Sequence, residues 1–380
     1  MANGLTPKTD FFSHLKYRKT CHLLVTAEAD EPDEITLQEW RQEGFVVSYI
    51  AFGDGGVEFV RRVQAHANKI SVGEQYAIVA YASPSSPLLS SLRHLPRLLA
   101  FIAYYPPQIP ASTSLTYPAS VSILIHLCAS TTISKVRTYV YEGVRPGFAE
   151  GDVEEYDSVA KELAFGRSLT LIRKAFGVPE VDVEGIRDAW MDEVGGDAAK
   201  ACAALPGEGV GRINLPTLTG GFDREGLVGF YRDLFGPSAP FIRARLMSRT
   251  AGQNQVVDEM VVSFKHDRVV QWILPGVPAT GREVRIVMVS VVGIKGGKVV
   301  AERVYWDQAS VLVQIGMLDP ALVPDGFGKG KVEGEGRVKG KRKLRMPVVG
   351  AEQANAVEWG EDWDGNVNEL CGKVAKASVS

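Results

Sequence analysis

The spacing of apolar residues changes once along this chain of 380 residues, near residue 178. Before that point, short apolar runs alternate with segments whose apolar residues recur at helical spacing. After it, three helical patterns come first, and long strand-like stretches follow with little helix between them. The change predicts two domains, a number that also suits the length.

The first domain is predicted over residues 1–178 as a parallel, doubly wound α/β sheet, because strands that alternate with helices give that arrangement. Its last helical pattern, 157–177, ends at Gly177 before Pro179, which is a typical helix stop. The predicted strands are 21–27, 44–52, 76–82, 98–106 and 121–129.

The second domain is predicted over residues 179–325 as an α+β fold, with helices packed on one curved antiparallel sheet over about 240–308. Residues 326–345 carry eight basic and two acidic side chains with few apolar ones, which predicts a solvated low-complexity loop. We expect residues 346–380 to form a C-terminal extension that packs on the second domain.

Composition narrows the classes of function. Hydrophobic residues make up 45% and charged residues 23% of the chain, as in globular proteins, and the net charge of -3 argues against nucleic acid as a partner. The four cysteines are scattered and no histidine stands at metal-ligand spacing, so no metal site or disulfide framework is predicted. No secretory signal and no membrane span is evident, which favours a cytoplasmic protein without a membrane partner or cofactor.

A predicted strand-to-helix turn at residues 79–85 is the place where an α/β-hydrolase carries its nucleophile. This turn, with the segments 104–106 and 141–148, resembles the dienelactone hydrolases over residues 20–178. The resemblance implies a nucleophilic cysteine at the position of Ala82.

The same resemblance implies a histidine at the position of Pro146 and an acid in the turn 127–132, which has no carboxylate. Since all three positions are changed, the first domain is predicted to have a degenerate triad and no acyl-transfer activity. Ser83 or Ser85 would be a shifted nucleophile, but Pro84 between them disfavours this. His126 and Cys128 on one strand face would form a substitute dyad, although a buried structural pair is the preferred interpretation.

Three segments of the second domain resemble the SnoaL-like polyketide cyclases, whose α+β cone also occurs in ketosteroid isomerase and nuclear transport factor. They are residues 276–284, the pair 297–298, and 306–316. The resemblance implies an acid/base aspartate at Asp307, seven residues before Gln314, and a homodimer formed through the outer face of the sheet. It makes Asp307 the leading catalytic candidate.

Alternation along the strand places Arg303, Tyr305 and Asp307 on one face. Arg303 and Tyr305 are therefore candidates to contact a substrate, and Arg303 would either hold an oxyanion or pair with Asp307 as a plain ion pair; both remain open. Fused relatives with both domains tend to carry histidines where this chain has Arg303 and Leu215.

His266 and Asp267 form a second catalytic candidate, as a general base with an orienting carboxylate. A hairpin turn is the structural alternative for this pair. Further candidate substrate contacts are Trp272, Glu259 and Arg245.

The leading functional hypothesis is a small-molecule enzyme with general acid/base chemistry in the C-terminal cone, performing cyclisation, isomerisation, dehydration or hydrolysis of a polyketide-like or aromatic-derived substrate. The alternative is a catalytically silent protein that binds a ligand or acts as a scaffold. A third hypothesis retains ester or lactone hydrolysis in the first domain. A buried, unpaired Asp307 carboxyl would favour the enzyme, and an exposed one would favour the binding protein.

Overall fold

The computed structural model describes residues 20–110, 117–128, 136–178, 181–206, 210–236, 239–323 and 345–359, and the backbone of 366–367 and 375–376. The chain divides into two compact units, residues 1–180 and 181–380. The predicted basic loop 326–345 lies outside the described residues except for Arg345.

Unit 1 is built on a six-stranded sheet in the order β2-β1-β3-β4-β5-β6, in which every pair of neighbours is parallel. The strands are β1 His22–Thr26, β2 Val46–Tyr49, β3 Tyr76–Tyr81, β4 Leu98–Tyr104, β5 Ser122–Leu127 and β6 Arg137–Val140. The helices are α1 Glu34–Gln42, α2 Gly56–Lys69, α3 Ser85–Ser91 and α4 Ser158–Phe176, with a short 3₁₀ turn at Leu92–His94. The parallel sheet agrees with the alternating sequence pattern.

Helices cover both faces of this sheet, which is why its central strands are apolar without interruption. All six residues of β3 are buried. Alternate side chains enter separate cores: Val79 packs in the cluster that contains Trp40 and Phe165, and Ile78 packs in the cluster that contains Phe59. Strand β2 lies on one side of β1 and β3 lies on the other, so the strand order reverses at β1. At such a reversal, a crevice is expected at the carboxyl ends of β1 and β3.

Unit 2 contains a second six-stranded sheet in the order β8-β7-β12-β11-β10-β9. Its strands are β7 Gly211–Asn214, β8 Thr219–Gly221, β9 Ile242–Ala251, β10 Gln255–Lys265, β11 Glu283–Lys295 and β12 Lys298–Trp306. Its helices are α5 Val183–Ala203, α6 Arg224–Phe235, α7 Gln308–Gln314 and α8 Glu352–Trp359. All neighbours pair antiparallel except β12 and β7.

Two details of unit 2 differ from the sequence-based prediction. The sheet gains β7 and β8, which lie before the predicted span of 240–308. The predicted strand at 268–274 is a turn instead: the Ile273 and Leu274 N–H groups both donate to the carbonyl of Val270. Three consecutive residues, 272–274, are buried there, so no alternation between faces occurs.

The concave face of the second sheet is covered by α5 and α6, and α8 contacts β10 and β11. Along β11 every second side chain is buried, from Val284 to Ile294. The polar side chain in that buried set is Ser290, which marks the middle of the concave face.

Among the described residues, no helix is both long and apolar enough to cross a bilayer. The same part of the chain holds no group of three or more His, Cys, Asp or Glu side chains arranged to bind a metal ion.

Candidate functional site

A row of polar side chains crosses the concave face of the unit 2 sheet. We call it the charged stripe, and it comprises Arg212 on β7, Glu302 on β12, Ser290 on β11, Asp258 on β10, Arg249 on β9 and Arg187 on α5. The strand register brings the members together, because Glu302 is paired with Arg212, Ser290 with Asp258, and Asp258 with Arg249.

Glu302 is the centre of the stripe and is only 3% exposed. Its Oε1 atom accepts hydrogen bonds from Ser290 Oγ at 2.7 Å and from Arg187 Nη2 at 3.4 Å. Its Oε2 atom accepts from Arg212 Nη1 and, at 3.4 Å, from the Tyr231 hydroxyl. Both carboxylate oxygens therefore have two donors each.

Asp258 continues the stripe toward the surface. Arg249 donates to both of its oxygens, from Nε at 2.5 Å and from Nη2 at 3.0 Å, and Arg187 Nε lies 3.5 Å from Oδ2. Arg249 also donates to the exposed Asp188 at 3.0 Å. This chain of ion pairs ties α5 to the sheet, since Arg187 and Asp188 both belong to that helix.

The charges of the stripe hold its ionisation states fixed. Burial alone would raise the pKa of Glu302, but the Arg212 and Arg187 charges outweigh it and lower the pKa below the usual 4.5. Burial and the Glu302 charge raise the pKa of Tyr231 to about 12. At neutral pH, Glu302 is thus a carboxylate and Tyr231 is protonated.

A cavity of about 510 Å³, which we call the cone cavity, lies over the stripe. Its polar lining includes Arg187, Arg212, Ser290 and Glu302. Most of the remaining lining is apolar: Met191, Leu234, Phe235, Phe241, Ile242, Met260, Val262, Trp272, Met288 and Val304. Apolar walls with a few converging polar groups are typical of small-molecule sites. A second cavity of about 530 Å³ shares Gly236, Ala239, Pro240 and Trp272 with the wall of the cone cavity.

The structure places the leading sequence candidate outside this cavity. Asp307 is exposed and caps α7, where its Oδ1 atom accepts a hydrogen bond from the Ala309 N–H at 3.0 Å. Arg303 and Tyr305 are also exposed. The alternation along β12 is as predicted, and because Val304 and Trp306 are buried, it is Glu302, in phase with them, that faces the cavity.

The second candidate pair does not act together in the structure. His266 is fully buried, and its Nδ1 atom lies 3.0 Å from Thr280 Oγ1. Burial lowers the pKa of His266, and the nearby Asp267 charge opposes this. Asp267 is exposed and pairs with Arg268 at 3.4 Å. His266 also accepts the Gly281 N–H through its carbonyl, so it holds the turn at 280–282.

The three remaining candidates occupy different surfaces. Trp272 lines the cone cavity. Glu259 lies on the other face of β10, half-buried, and accepts a hydrogen bond from Ser248 Oγ at 2.9 Å. Arg245 is exposed and pairs with Glu358 of α8 at 2.7 Å. Of these three, only Trp272 lines the cone cavity, and its role as a substrate contact stays a prediction.

Unit 1 also has a cavity, of about 700 Å³, at the carboxyl ends of its strands. Ala82, Cys128 and Pro146 all line it. Ala82 has a φ of 53°, a left-handed conformation that is uncommon outside glycine, and it joins β3 to α3 as in a strand-turn-helix elbow. The Ser83 N–H, next along this turn, donates to Glu28 Oε1 at 3.2 Å.

The proposed substitute dyad does not form a hydrogen-bonded pair in the described structure. His126 uses Nδ1 with the Tyr141 hydroxyl at 2.8 Å and Nε2 with Ser168 Oγ at 2.9 Å. Burial and the Arg167 charge lower the pKa of His126 to about 3. Burial raises the pKa of the Cys128 thiol to about 11, so it stays protonated and weakly nucleophilic at neutral pH. Ser85 is buried and donates to the Ala82 carbonyl.

Carboxylates dominate the polar lining of the unit 1 cavity: Glu28, Glu150, Asp152 and Glu155. Burial, opposed by the hydrogen bond from Tyr105, raises the pKa of Glu150, and the Asp152 and Glu28 charges add to the rise. The Tyr105 hydroxyl donates to Glu150 at 2.5 Å. The cavity thus lacks both a positioned nucleophile and a histidine base among the described residues.

Four residues of the stripe were not predicted from the sequence as site residues: Glu302, Arg212, Arg187 and Asp258. A signal for Glu302 was available in the strand 298–306, where it shares its alternation phase with Val304 and Trp306. Arg187 also had a signal, because it recurs at helical spacing with Val183, Trp190 and Val194, all of which are buried.

No family model and no curated protein matches the chain. Among solved structures, a SnoaL-like polyketide cyclase from Jannaschia sp. CCS1 is similar, with 17% identity, 37% of this chain and 99% of that chain covered, and a TM-score of 0.30. IdmH, described as a polyketide cyclase from Streptomyces antibioticus, has 17% identity, 36% and 99% coverage, and a TM-score of 0.29.

A protein with a ketosteroid isomerase-like fold from Catenulispora acidiphila is also similar, with 16% identity, 37% and 97% coverage, and a TM-score of 0.27. The structural neighbours are thus SnoaL-like and NTF2-like proteins that match part of the chain. The resemblance of residues 20–178 to dienelactone hydrolases stays a prediction.

Proposed function

We propose that unit 2 binds a small, largely apolar molecule in the cone cavity and that the charged stripe anchors its polar end. The observation that carries this proposal is the ionised Glu302 carboxylate, held by Arg212, Arg187 and Ser290 under a cavity with mainly apolar walls. A cavity of this size accommodates a drug-sized molecule.

The ionisation states of the residues that line the cavity favour ligand binding over proton transfer. The ionisable residues among the described lining are Glu302 and three arginines, Arg187, Arg212 and Arg268. A general base works best when its pKa lies near the working pH, whereas the pKa of Glu302 is lowered. Guanidinium groups do not release protons in this range.

A second candidate is acid/base catalysis of the SnoaL-like kind, such as cyclisation, isomerisation, dehydration or hydrolysis. It is favoured by a carboxylate inside the cavity beside two arginines, which would stabilise a developing oxyanion. In this case Glu302, rather than the exposed Asp307, is the residue that would exchange a proton with the ligand.

Blocking the cavity tests the binding proposal. Ala244 is an exposed residue of β9 that lines the cavity, so Ala244→Trp fills its entrance at little cost to folding. Ala251→Trp, on the same strand and also exposed, is the matched control. Native mass spectrometry of the purified proteins should show a bound small molecule on wild type and Ala251→Trp, and its loss from Ala244→Trp. Equal occupancy in all three proteins would contradict the proposal.

Catalysis is tested with the same bound molecule. After release by denaturation, it is returned to fresh wild-type protein and followed by chromatography and mass spectrometry. The binding proposal expects it to remain unchanged over many equivalents. Conversion that is faster than in buffer and absent in Ala244→Trp would favour the second candidate.

Unit 1 is inferred to lack hydrolase activity. The backbone N–H that follows position 82 is occupied by Glu28, and the Cys128 thiol is protonated at neutral pH. We expect the protein to hydrolyse p-nitrophenyl acetate no faster than a control protein of similar composition. Turnover that disappears in Cys128→Ala or Ser83→Ala would restore the hydrolase hypothesis. A cytoplasmic location remains a prediction.

A further inference from the structure

The charged stripe has hydrogen-bond donors without acceptors. Arg187 Nη1 and Arg212 Nε are buried and have no hydrogen-bond partner among the described residues. Both arginines are 5% exposed and both line the cone cavity. The indole N–H of Trp272, on the cavity wall, is also buried and has no hydrogen-bond partner among the described residues. Buried donors without partners cost free energy, so an acceptor at this place would be favourable.

The acceptors of the stripe are already used by other donors. Both oxygens of Glu302 accept from two groups each, and both oxygens of Asp258 accept from Arg249. The protein side of the cavity thus has donors to spare and few free acceptors. A ligand that brings acceptors matches this lining better than one that brings donors.

Net charge points the same way. The described lining has three arginines, Arg187, Arg212 and Arg268, against one carboxylate, Glu302, and a second carboxylate, Asp258, pairs with Arg187 from outside the lining. Two of these arginines are buried, where salt screens charges weakly. The guanidinium of Arg212 lies over the Phe230 ring, 4.6 Å from its centroid, which fixes the plane of its donors. The cavity therefore favours an anion over a neutral molecule, and disfavours a cation.

We propose that the ligand of the cone cavity is an apolar carboxylate, whose acid group pairs with the guanidinium groups of Arg187 and Arg212. This rests on the proposed binding function and adds the chemical class of the ligand. A carboxylate suits planar guanidinium donors because charge-assisted hydrogen bonds between them are short and directional. The apolar body occupies the methionine and aromatic walls above.

Three probes of one size and different charge test the proposal on the full-length protein: 2-naphthoate, 2-naphthamide and 2-naphthylmethylammonium. Dissociation constants are measured by isothermal titration calorimetry at a fixed ionic strength. We expect 2-naphthoate to bind at least about tenfold more tightly than 2-naphthamide, and the ammonium probe to bind most weakly.

Two variants then locate the source of the preference. Arg187→Gln removes one buried guanidinium while Arg212 still pairs with Glu302, and it should reduce the preference for 2-naphthoate to about threefold or less, with the Kd for 2-naphthamide nearly unchanged. Arg243→Gln makes the same change of charge at an exposed residue of β9 that does not line the cone cavity, and should leave the preference intact. If Arg187→Gln does not fold, Arg187→Lys, which retains the charge but loses the planar donors, should give an intermediate preference.

The outcomes separate this inference from the function on which it rests. Equal binding of the acid and the amide, or tightest binding of the ammonium probe, would overturn the carboxylate inference while small-molecule binding stands. No binding of any probe to wild type, together with no ligand lost from Ala244→Trp, would overturn both.

Discussion

Glu302 on β12 and Arg212 on β7 are register partners, and their side chains form a buried ion pair on the concave face of the unit 2 sheet. Because the backbone register sets this pair, the two charges are held in place before any ligand arrives. Preorganised charges contribute more to recognition than mobile ones, since no ordering cost is paid on binding.

Removal of the Glu302 charge should strongly destabilise unit 2. Glu302→Gln leaves Arg187 and Arg212 buried without their carboxylate, which costs about 3 to 5 kcal/mol in the free energy of unfolding. Urea unfolding followed by tryptophan emission measures this loss. Glu283→Gln, an exposed residue at the start of β11, is the control and should stay within about 0.5 kcal/mol of wild type. A loss of similar size in both variants would contradict the central position of Glu302.

The way in which the stability of unit 1 changes with pH should depend on His126. Its pKa is lowered from 6.5 to about 3 in the fold, so the unfolded chain takes up a proton that the folded state refuses. Above pH 6.5 this histidine does not lower the free energy of unfolding. As the pH drops from 6.5 toward 3, that free energy falls by about 1.4 kcal/mol per pH unit. In His126→Gln the slope between pH 6 and 4 should be smaller by that amount. The exposed His94 supplies the control, and His94→Gln should keep the wild-type slope.

Asp307 should behave as a helix cap. Asp307→Ala removes the acceptor for the Ala309 N–H and should lower the free energy of unfolding by about 1 kcal/mol. Asp307→Ser, which can cap in the same way, should recover most of the loss. Neither change should alter the Kd for 2-naphthoate, because Asp307 does not line the cone cavity. A weaker Kd in both variants, at unchanged stability, would return Asp307 to the functional site.

Ala82 should tolerate glycine better than its neighbours do. Since its φ is 53°, Ala82→Gly relieves backbone strain, and stability should be unchanged or rise by up to about 1 kcal/mol. Ala80→Gly, in the buried interior of β3, should instead destabilise by about 1 kcal/mol. Thermal unfolding of the two variants gives the comparison, and an equal loss in both would argue against strain at Ala82.

The expected homodimer is tested at the convex face of the unit 2 sheet. There Val289 is half-buried, with Glu259 and Tyr305 as its register partners. If copies pair through this face, Val289→Arg should convert a dimer to a monomer in light scattering, while Val72→Arg, on an exposed residue of unit 1, should not. A wild-type protein that is monomeric at all concentrations would contradict the dimer.

The sequence predicted the element types better than the site. In unit 1, alternating strands and helices were enough to predict the parallel sheet, because each buried strand has its own local signature. In β12 the alternation was also predicted correctly, but the resemblance to the cyclases made Asp307, on the exposed face, the catalytic candidate. The buried face was identifiable from Val304 and Trp306, which follow Glu302 at intervals of two.

The rest of the site depends on contacts between distant parts of the chain. Arg212 and Glu302 are 90 positions apart, and their pairing follows from the parallel placement of β7 beside β12. Alternation gives the face on which a side chain lies, but it does not give the neighbouring strand. Arg187 was readable as part of an apolar stripe on α5, yet its carboxylate partners on β10 and β12 were not.

The contact between the Ser83 N–H and Glu28 bears on any attempt to engineer an esterase from unit 1. A thiol introduced by Ala82→Cys would enter a cavity lined by four carboxylates, Glu28, Glu150, Asp152 and Glu155, whose negative charges oppose its ionisation. The backbone donor beside it would already be neutralised by Glu28. Designers would therefore have to clear the acidic lining before adding a nucleophile, and the order of those steps would decide whether any intermediate variant is active.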